Sequence, residues 1–424
     1  LSSVILSDDL TGALEAGTQL QKKGFKVGVA LQKEYLGKIR SDSDVIVFDT
    51  ESRNVPPEQA FQTVKEHIEM ITAAGLRLIY KKVDSTLRGN LGSEIAAALA
   101  GQPVTMAVFA PALPFNGRLT RNGDHYLHEV KLADSELARD PFAPVKQSFI
   151  PEIVREQTDL QTAVIDLNFV RRGAACLRRK IAELGRAGIK IAVIDAVTED
   201  DLKMIALAVQ GMTVLPIGSA GFLSHIFRAS TSDNSTGDEY SFKNGPTLVI
   251  SGSPAQVSKA QIDRAKNRGA KVIQLQERPF YQEGEPAFDG EQVVNLVVAF
   301  LKQGKNVVVD GAGAGKSALA AEYQNQPELL AAQSRKIQKN LSLLVKGVLE
   351  RFWPARLMLI GGDTAYHVTR ALGCYSIDII GEVEPFVPLG RLNGKMADGM
   401  VVITKAGGFG SVDVINKACG ATGA

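Results

Sequence analysis

Val4-Ile5-Leu6-Ser7-Asp8-Asp9-Leu10-Thr11-Gly12-Ala13 is the stretch on which the fold turns. A short apolar run ends in two adjacent carboxylates. A Thr-Gly step follows, and then Ala13, Gly17 and Leu20 recur at helical spacing. The pattern is a first strand running straight into a first helix. In an open parallel sheet, ligands bind outside the carboxyl ends of the strands. Asp8 and Asp9 therefore stand at the mouth of a site, or else cap the helix by satisfying its free backbone N–H groups. Adjacent strand-end residues point to opposite faces. One carboxylate is accordingly expected on a ligand and the other on the turn.

The strand-then-helix rhythm continues outward from there. Residues 27–31 and 45–48 read as buried strands, and Ala60, Val64, Ile68 and Ile71 form a helical stripe. Residues 76–83 read as a strand, 91–99 as a helix and 104–110 as a strand, the alternation of a doubly wound sheet. Residues 111–151 break the rhythm. A connection of that length is usually functional or disordered. With Tyr126, Leu127, Leu132 and Phe142 available to pack, it is expected to be ordered and functional. Strand patterns resume at 163–166, 190–195 and 213–217. Residues 229–243 hold hardly any apolar side chain and read as a linker. Beyond them strands are expected at 247–250, 271–275, 306–309, 357–360 and 400–404. A long amphipathic helix carries Ile337, Leu341, Leu344, Val348 and Phe352. The expected fold class is α/β: two Rossmann-like domains with mostly parallel sheets and an interdomain active-site cleft. The first domain is 1–228, the linker 229–244 and the second domain 245–424.

Composition narrows the function. The chain has 424 residues, 45% hydrophobic and 22% charged, with a net charge of +2. That charge makes no whole-chain case for nucleic acid or an anionic membrane surface. Cys176, Cys374 and Cys419 are widely spaced and form no zinc pattern, which fits a reducing compartment. With the first strand at the start of this sequence no signal peptide is expected, and no apolar run approaches the ~20 residues of a membrane helix. The expectation is a soluble, cytoplasmic protein.

Three strand ends in the first half carry polar clusters. They are Asp8-Asp9, Asp49-Thr50-Glu51-Ser52-Arg53, and the run from Lys81 and Lys82 through Asp84, Ser85, Thr86 and Arg88 to Asn90. Parallel strands would bring all three to one edge. Arg53, Lys82 and Arg88 suit a carboxylate. The aspartates accept from sugar hydroxyls, and one of them can serve as a general base. The long connection adds Asn116, Arg118, Arg121, His125 and His128, with Arg139-Asp140 beyond. This cationic segment is placed to close over a substrate. His125 reads more as hydrogen-bonding scaffold than as catalyst. The assembled chemistry fits a small polyhydroxylated anion.

In the second half, three glycine turns follow strands: Ser251-Gly252-Ser253, Gly361-Gly362-Asp363-Thr364, and Lys405-Ala406-Gly407-Gly408-Phe409-Gly410. Glycine lets the backbone approach a phosphate, and a helix N-terminus supplies donors and partial positive charge. Three such turns favour a nucleotide. Asp310-Gly311-Ala312-Gly313-Ala314-Gly315-Lys316-Ser317 mimics a P-loop, but the required first glycine falls on Asp310, so it is not read as one.

On these motifs the chain resembles the four-carbon acid sugar kinase family, formerly a domain of unknown function. The resemblance is carried by Ser7-Asp8-Asp9-Leu10-Thr11-Gly12-Ala13, Lys82-Val83-Asp84-Ser85-Thr86-Leu87-Arg88-Gly89-Asn90, Ala110-Pro111-Ala112-Leu113-Pro114-Phe115-Asn116-Gly117-Arg118, Gly123-Asp124-His125-Tyr126 and the three glycine turns. It departs at Ser7, where alanine is usual, and at Ser253-Pro254-Ala255, where many members have Ser-Cys-Ser. The Asp-Ser-Thr-Leu-Arg-Gly form leans to the threonate branch over the oxo-tetronate branch.

The resemblance implies a sugar-acid-binding N-terminal domain, an ATP-binding C-terminal domain, and ATP-dependent phosphorylation of a four-carbon sugar acid; such a transfer is expected to use Mg²⁺ bridging the phosphates. D-Threonate or D-erythronate is favoured over 3-oxo-tetronate. The residues so implicated for substrate are Asp8 or Asp9, Arg53 and the Lys82–Thr86 turn, joined in the residue reading by Arg88, Asn116, Arg118 and His125. Asp9 or Asp84 is the candidate catalytic carboxylate. Ser251, Gly252, Ser253, Gly361, Gly362, Asp363, Thr364, Gly407 and Gly408 would hold the nucleotide, and Asp363 would help hold magnesium. Three alternatives stand: a 3-oxo-tetronate or branched sugar-acid kinase, a non-catalytic sugar-acid sensor set by nucleotide, and a P-loop NTPase built on Lys316. The expected partner is a small sugar acid, with no nucleic acid and no membrane. A homodimer is one candidate oligomer.

Overall fold

The computed structural model describes residues 3–139, 144–227, 244–275, 290–311 and 327–420. All of the expected linker except residue 244 lies outside these, as do Asp140, Phe142 and the P-loop-like run beyond Gly311, Lys316 included. The chain forms two compact units: Leu1–Val27 with Leu36–Ser235, and Gly28–Tyr35 with Thr236–Ala424.

The strands of the N-terminal half are β1 (Ser3–Ser7), β2 (Val27–Ala30), β3 (Val45–Asp49), β4 (Arg77–Lys82), β5 (Ala107–Ala110), β6 (Arg118–Arg121), β7 (Asp124–Leu127), β8 (Val130–Lys131), β9 (Thr162–Ile165), β10 (Ile191–Ile194) and β11 (Leu215–Gly218). In the first unit they order as β3-β1-β4-β11-β5-β10-β9, every pair parallel. Their central positions are short Val-, Ile- and Leu-rich runs, buried as a sheet covered on both faces requires. Ser7 is in register with Asp49 on one side and Lys82 on the other. The three polar clusters therefore leave adjacent parallel strands at the same edge.

The break in rhythm at 111–151 proves, over its described part, to be a small antiparallel sheet, β6-β7-β8. Its hairpin turns on Asn122 (φ 52°) and Gly123 (φ 77°), the Asn-Gly pair that a two-residue turn with two positive φ angles demands. Both turn N–H groups donate to the buried carboxylate of Asp195, at 2.5 and 2.9 Å. That fastens the hairpin to the end of β10.

The strands of the second unit are β12 (Thr247–Ser251), β13 (Lys271–Gln274), β14 (Val307–Asp310), β15 (Arg356–Ile360), β16 (Cys374–Glu384), β17 (Val387–Gly394) and β18 (Val401–Lys405). They order as β13-β14-β12-β15-β18-β17-β16-β2. The first five are parallel. From β18 onward the pairing is antiparallel. The expectation of mostly parallel sheets thus holds for the first unit throughout and gives way to a mixed sheet in the second. The β16–β17 hairpin carries no Asn-Gly or Asp-Gly signal. Its turn relies on Phe386 at φ 67°, whose ring stacks on Phe409 at 5.5 Å. β2 is the other departure. Its residues 28–30 pair with β16, Leu31 N donates to Tyr375 O at 2.9 Å, and Tyr35 stacks on Tyr375 at 4.7 Å. An apolar strand in the run of the first half serves the second unit.

Candidate active site

The first polar site is built on one guanidinium. β1 ends at Ser7, and Asp9 turns the chain into helix α1 (Leu10–Gln21), its Oδ1 accepting from Gly12 N at 2.7 Å. Arg53, from the turn after β3, donates through Nε to Asp8 Oδ2 at 2.7 Å and through Nη1 to Asp9 Oδ2 at 2.5 Å. The expectation that Asp8 and Asp9 face opposite ways is therefore corrected. The pleat stops at Ser7, so alternation no longer governs them, and both reach the same cation. One of them, Asp9, does hold the turn as well.

Burial would raise the Asp8 carboxyl, but Arg53, with Lys81 and Lys82, outweighs it and holds Asp8 below the ordinary range. At Asp9 burial prevails over Arg53, with Asp8 adding to it, and the carboxyl moves up. Asp49 is buried without a cation of its own. Burial, with Asp9 and Asp8 nearby, pushes it up to about 7. One oxygen each of Asp8 and Asp49 is buried with no hydrogen-bond partner.

The turn after β4 supplies the second part. Asp84 Oδ2 accepts from Thr86 Oγ1 and Arg88 Nε, both at 2.6 Å. Burial opposes its charge, yet Arg88 and Arg53 hold it well below the usual carboxylate range. Lys82 Nζ lies 3.6 Å from Glu15 and donates to Val83 O at 3.0 Å. Ser85 is gripped from the hairpin: Arg118 Nη1 donates to its hydroxyl at 2.8 Å, and His125 Nε2 bonds its carbonyl at 2.9 Å. His125 is fully buried, with Nδ1 on Thr120 at 3.0 Å, and burial together with Arg118 lowers it to about 4. It is a neutral scaffold behind Ser85 and presents no face to a ligand. Asn116 is half-buried at the end of the short turn before β6.

A layer beneath the site was not anticipated. Lys81 Nζ meets Glu94 at 2.5 Å with both side chains buried, and Ser52 donates to Glu94 at 2.7 Å. Burial, reinforced by Asp8, still raises Glu94 despite that lysine. Asn90 Nδ2 ties down the Ser52 and Val55 carbonyls at 2.8 Å each. A signal was present: Glu94 is the one acid in the apolar helix Leu91–Ala100, and Glu15 is the one acid in α1.

The second unit brings its glycine turns together at the ends of β12, β15 and β18. Gly252 N donates to Ile360 O at 3.0 Å, and Gly361 N to Lys405 O at 2.9 Å. A side-chain carbon on Gly252 would collide with Thr364 Oγ1, and one on Gly407 would collide with Ser253 Oγ. Ser251 Oγ and Thr364 Oγ1 are buried with no partner. Lys405 Nζ donates to the Ala406 and Gly407 carbonyls at 2.9 and 3.0 Å, and burial lowers it to about 8. Gly362, Asp363 and Thr364 form the first turn of the helix Gly362–Ala371, with Asp363 exposed. Gly408 meets open space. Glycine turns with no room for a side-chain carbon at Gly252 and Gly407, beside unanswered hydroxyls, fit a phosphate-bearing ligand. Among the described residues no group of three or more His, Cys, Asp or Glu is placed to hold a metal ion. No described helix is long and apolar enough to cross a membrane.

Residues 3–226 match the family model described as a sugar-binding N-terminal domain, and residues 248–415 match a nucleotide-binding C-terminal domain. The chain is 31% identical over 418 residues to a D-threonate kinase of Salmonella typhimurium, covering 97% of this chain and 96% of that protein. The chain belongs to the four-carbon acid sugar kinase family. A D-erythronate kinase of Heliobacterium modesticaldum is 29% identical over 422 residues, 97% of this chain and 94% of that one. A solved structure from Salmonella typhimurium LT2 shares the fold, with a TM-score of 0.79 at 21% identity and 98% of each chain covered. As a family member the chain is a sugar-acid kinase, a phosphotransferase with an alcohol group as acceptor, with the sugar handled by the first unit and the nucleotide by the second.

Proposed function

We propose that the chain transfers the γ-phosphoryl group of ATP to a hydroxyl of D-threonate or D-erythronate. The observation that carries this is the convergence of the Asp8–Asp9–Arg53 cluster and the Asp84–Arg88 turn on adjacent parallel strand ends. Arg53, Lys82 and Arg88 hold the substrate carboxylate. Arg118 holds Ser85 in place from the hairpin. Asp9, whose carboxyl is raised, takes the hydroxyl proton. Asp84, held strongly ionised by Arg88, orients that hydroxyl as an acceptor. Phosphoryl transfer asks for little more than positioning and charge stabilisation.

On the nucleotide side, Ser251 to Ser253, Gly361 to Thr364 and Gly407-Gly408 cradle phosphates. Magnesium, when bound, neutralises charge on the phosphates and uses one or two protein carboxylates rather than a full cage. Asp363 is the candidate ligand, and a single exposed acid fits that pattern.

A phosphorylation assay with ATP against D-threonate, D-erythronate and 3-oxo-tetronate tests the reading. Turnover is expected with one of the first two acids. Turnover with 3-oxo-tetronate alone moves the chain to the other branch. No turnover with any four-carbon acid sinks the proposal.

A further inference from the structure

Gln338 sits on the helix Pro327–Leu349, where Ile337, Leu341, Leu344 and Val345 are apolar and buried. Its own side chain is 1% exposed, yet neither its Nε2 nor its Oε1 has a hydrogen-bond partner. Ser251 Oγ and Thr364 Oγ1 share that condition. Two of the four atoms meet around one glycine, and a third belongs to the residue before it. A side-chain carbon on Gly252 would strike Thr364 Oγ1 and stand 3.2 Å from Gln338 Nε2, and Ser251 is the preceding residue.

Buried amides and hydroxyls are almost always paired, because leaving one unanswered forfeits its solvation. Unanswered groups from three residues at one turn fit a site that a ligand fills. The available donors are two hydroxyls and an amide, all neutral. They stand beside the N-terminus of the ten-residue helix Gly362–Ala371, whose first N–H groups lack helical partners. Neutral donors at a helix N-terminus match a phosphate oxygen, which only accepts.

We propose that Gln338 is a nucleotide-binding residue, donating its amide N–H to a phosphate group seated between Ser251 and Thr364. The assignment rests on the kinase reading and adds to it a residue from outside the glycine turns. Its Oε1 takes a water or one of the two hydroxyls.

Gln338→Leu and Gln338→Met test it, with ATP affinity by calorimetry and thermal midpoints with and without ligand. Removing an unanswered polar group should leave the ligand-free midpoint unchanged or higher. ATP affinity should fall at least about tenfold, while the midpoint shift produced by the sugar acid survives. Wild-type ATP affinity in both variants overturns the assignment. So does a midpoint several degrees lower without ligand, which would make the amide a structural member. Failure of the wild-type protein itself to bind ATP removes the kinase reading and the assignment with it, and is distinguishable because no variant is then needed.

Discussion

The two halves of the chain treat buried polarity in opposite ways. At the strand ends of the first unit nearly every charge has an answer: Asp8 and Asp9 share Arg53, Glu94 takes Lys81, and Asp84 takes Arg88. At the strand ends of the second unit Lys405 and Asp310 are buried charges, but several buried neutral groups, Ser251, Thr364 and Gln338 among them, have no hydrogen-bond partner. A charge cannot wait unpaired in a protein interior, because its desolvation is too costly, whereas a hydroxyl or amide can do so at moderate cost. A site for an anionic sugar acid must therefore carry its own counterions before the ligand arrives. A phosphate seat made of glycine, hydroxyl and amide need not.

The largest effect is expected at Arg53. Arg53→Ala leaves the buried Asp8 and the partly buried Asp9 without their shared cation, and removing one partner of a buried pair typically costs about 3–5 kcal/mol. Urea unfolding of the variant should show a loss of that size even without ligand. A loss under about 1 kcal/mol would mean that water answers the aspartates, and the contrast between the units would fail. Arg53→Lys should recover only part, since one ammonium cannot reproduce donation from Nε and Nη1 to two carboxylates.

Asp49 sharpens the comparison, because it is the exception within the charged site. Its folded value of about 7 lies above the ordinary 3.8. The native state thus binds a proton that the unfolded chain has already released. The resulting stability is complete below about pH 4 and lost as pH rises through about 7. His125 runs the other way. Lowered to about 4, it contributes stability that is complete above about pH 6.5 and lost as pH falls. Asp49→Asn removes only the first of these. Its stability relative to wild type should climb by about 2 kcal/mol between pH 5 and pH 8, read from urea midpoints at the two pH values. Parallel curves for the two proteins would show that Asp49 does not titrate in this window.

Legibility did not follow that division: the five parallel strands of the second unit were expected as well. The parallel strands of the first unit could be read from the sequence because they are short apolar runs closed by charged turns, and the Asp8, Arg53 and Asp84 clusters stood at those turns. Glu94 and Glu15 escaped because an acid inside an apolar helix looks like a solvated position until its lysine partner is located. The β16–β17 hairpin escaped because Phe386 occupies the left-handed position where glycine or asparagine would have announced a turn. The pairing of β2 could not be inferred from the chain, since an apolar strand states that it is buried and leaves its neighbour unnamed. Gln338 was hidden in a stripe of Ile and Leu, where only the absence of a hydrogen-bond partner distinguishes it.

The smallest and most local effect separates two glycines of the second unit. Gly252 has no room for a side-chain carbon, which would collide with Thr364 Oγ1, whereas Gly408 faces open space. If the cradle is set by close approach, Gly252→Ala should push Thr364 aside and weaken ATP binding about tenfold or more, roughly the worth of one charge-assisted hydrogen bond. Gly408→Ala should change stability by well under 1 kcal/mol and weaken ATP binding less than Gly252→Ala does, since a side-chain carbon there has open space. Calorimetric titration of both variants decides the matter. A larger loss at Gly408 than at Gly252 would mean that the phosphate lies against the β18 turn rather than between β12 and β15. Ser251, Thr364 and Gln338 would then need a different ligand to explain why they are left unanswered.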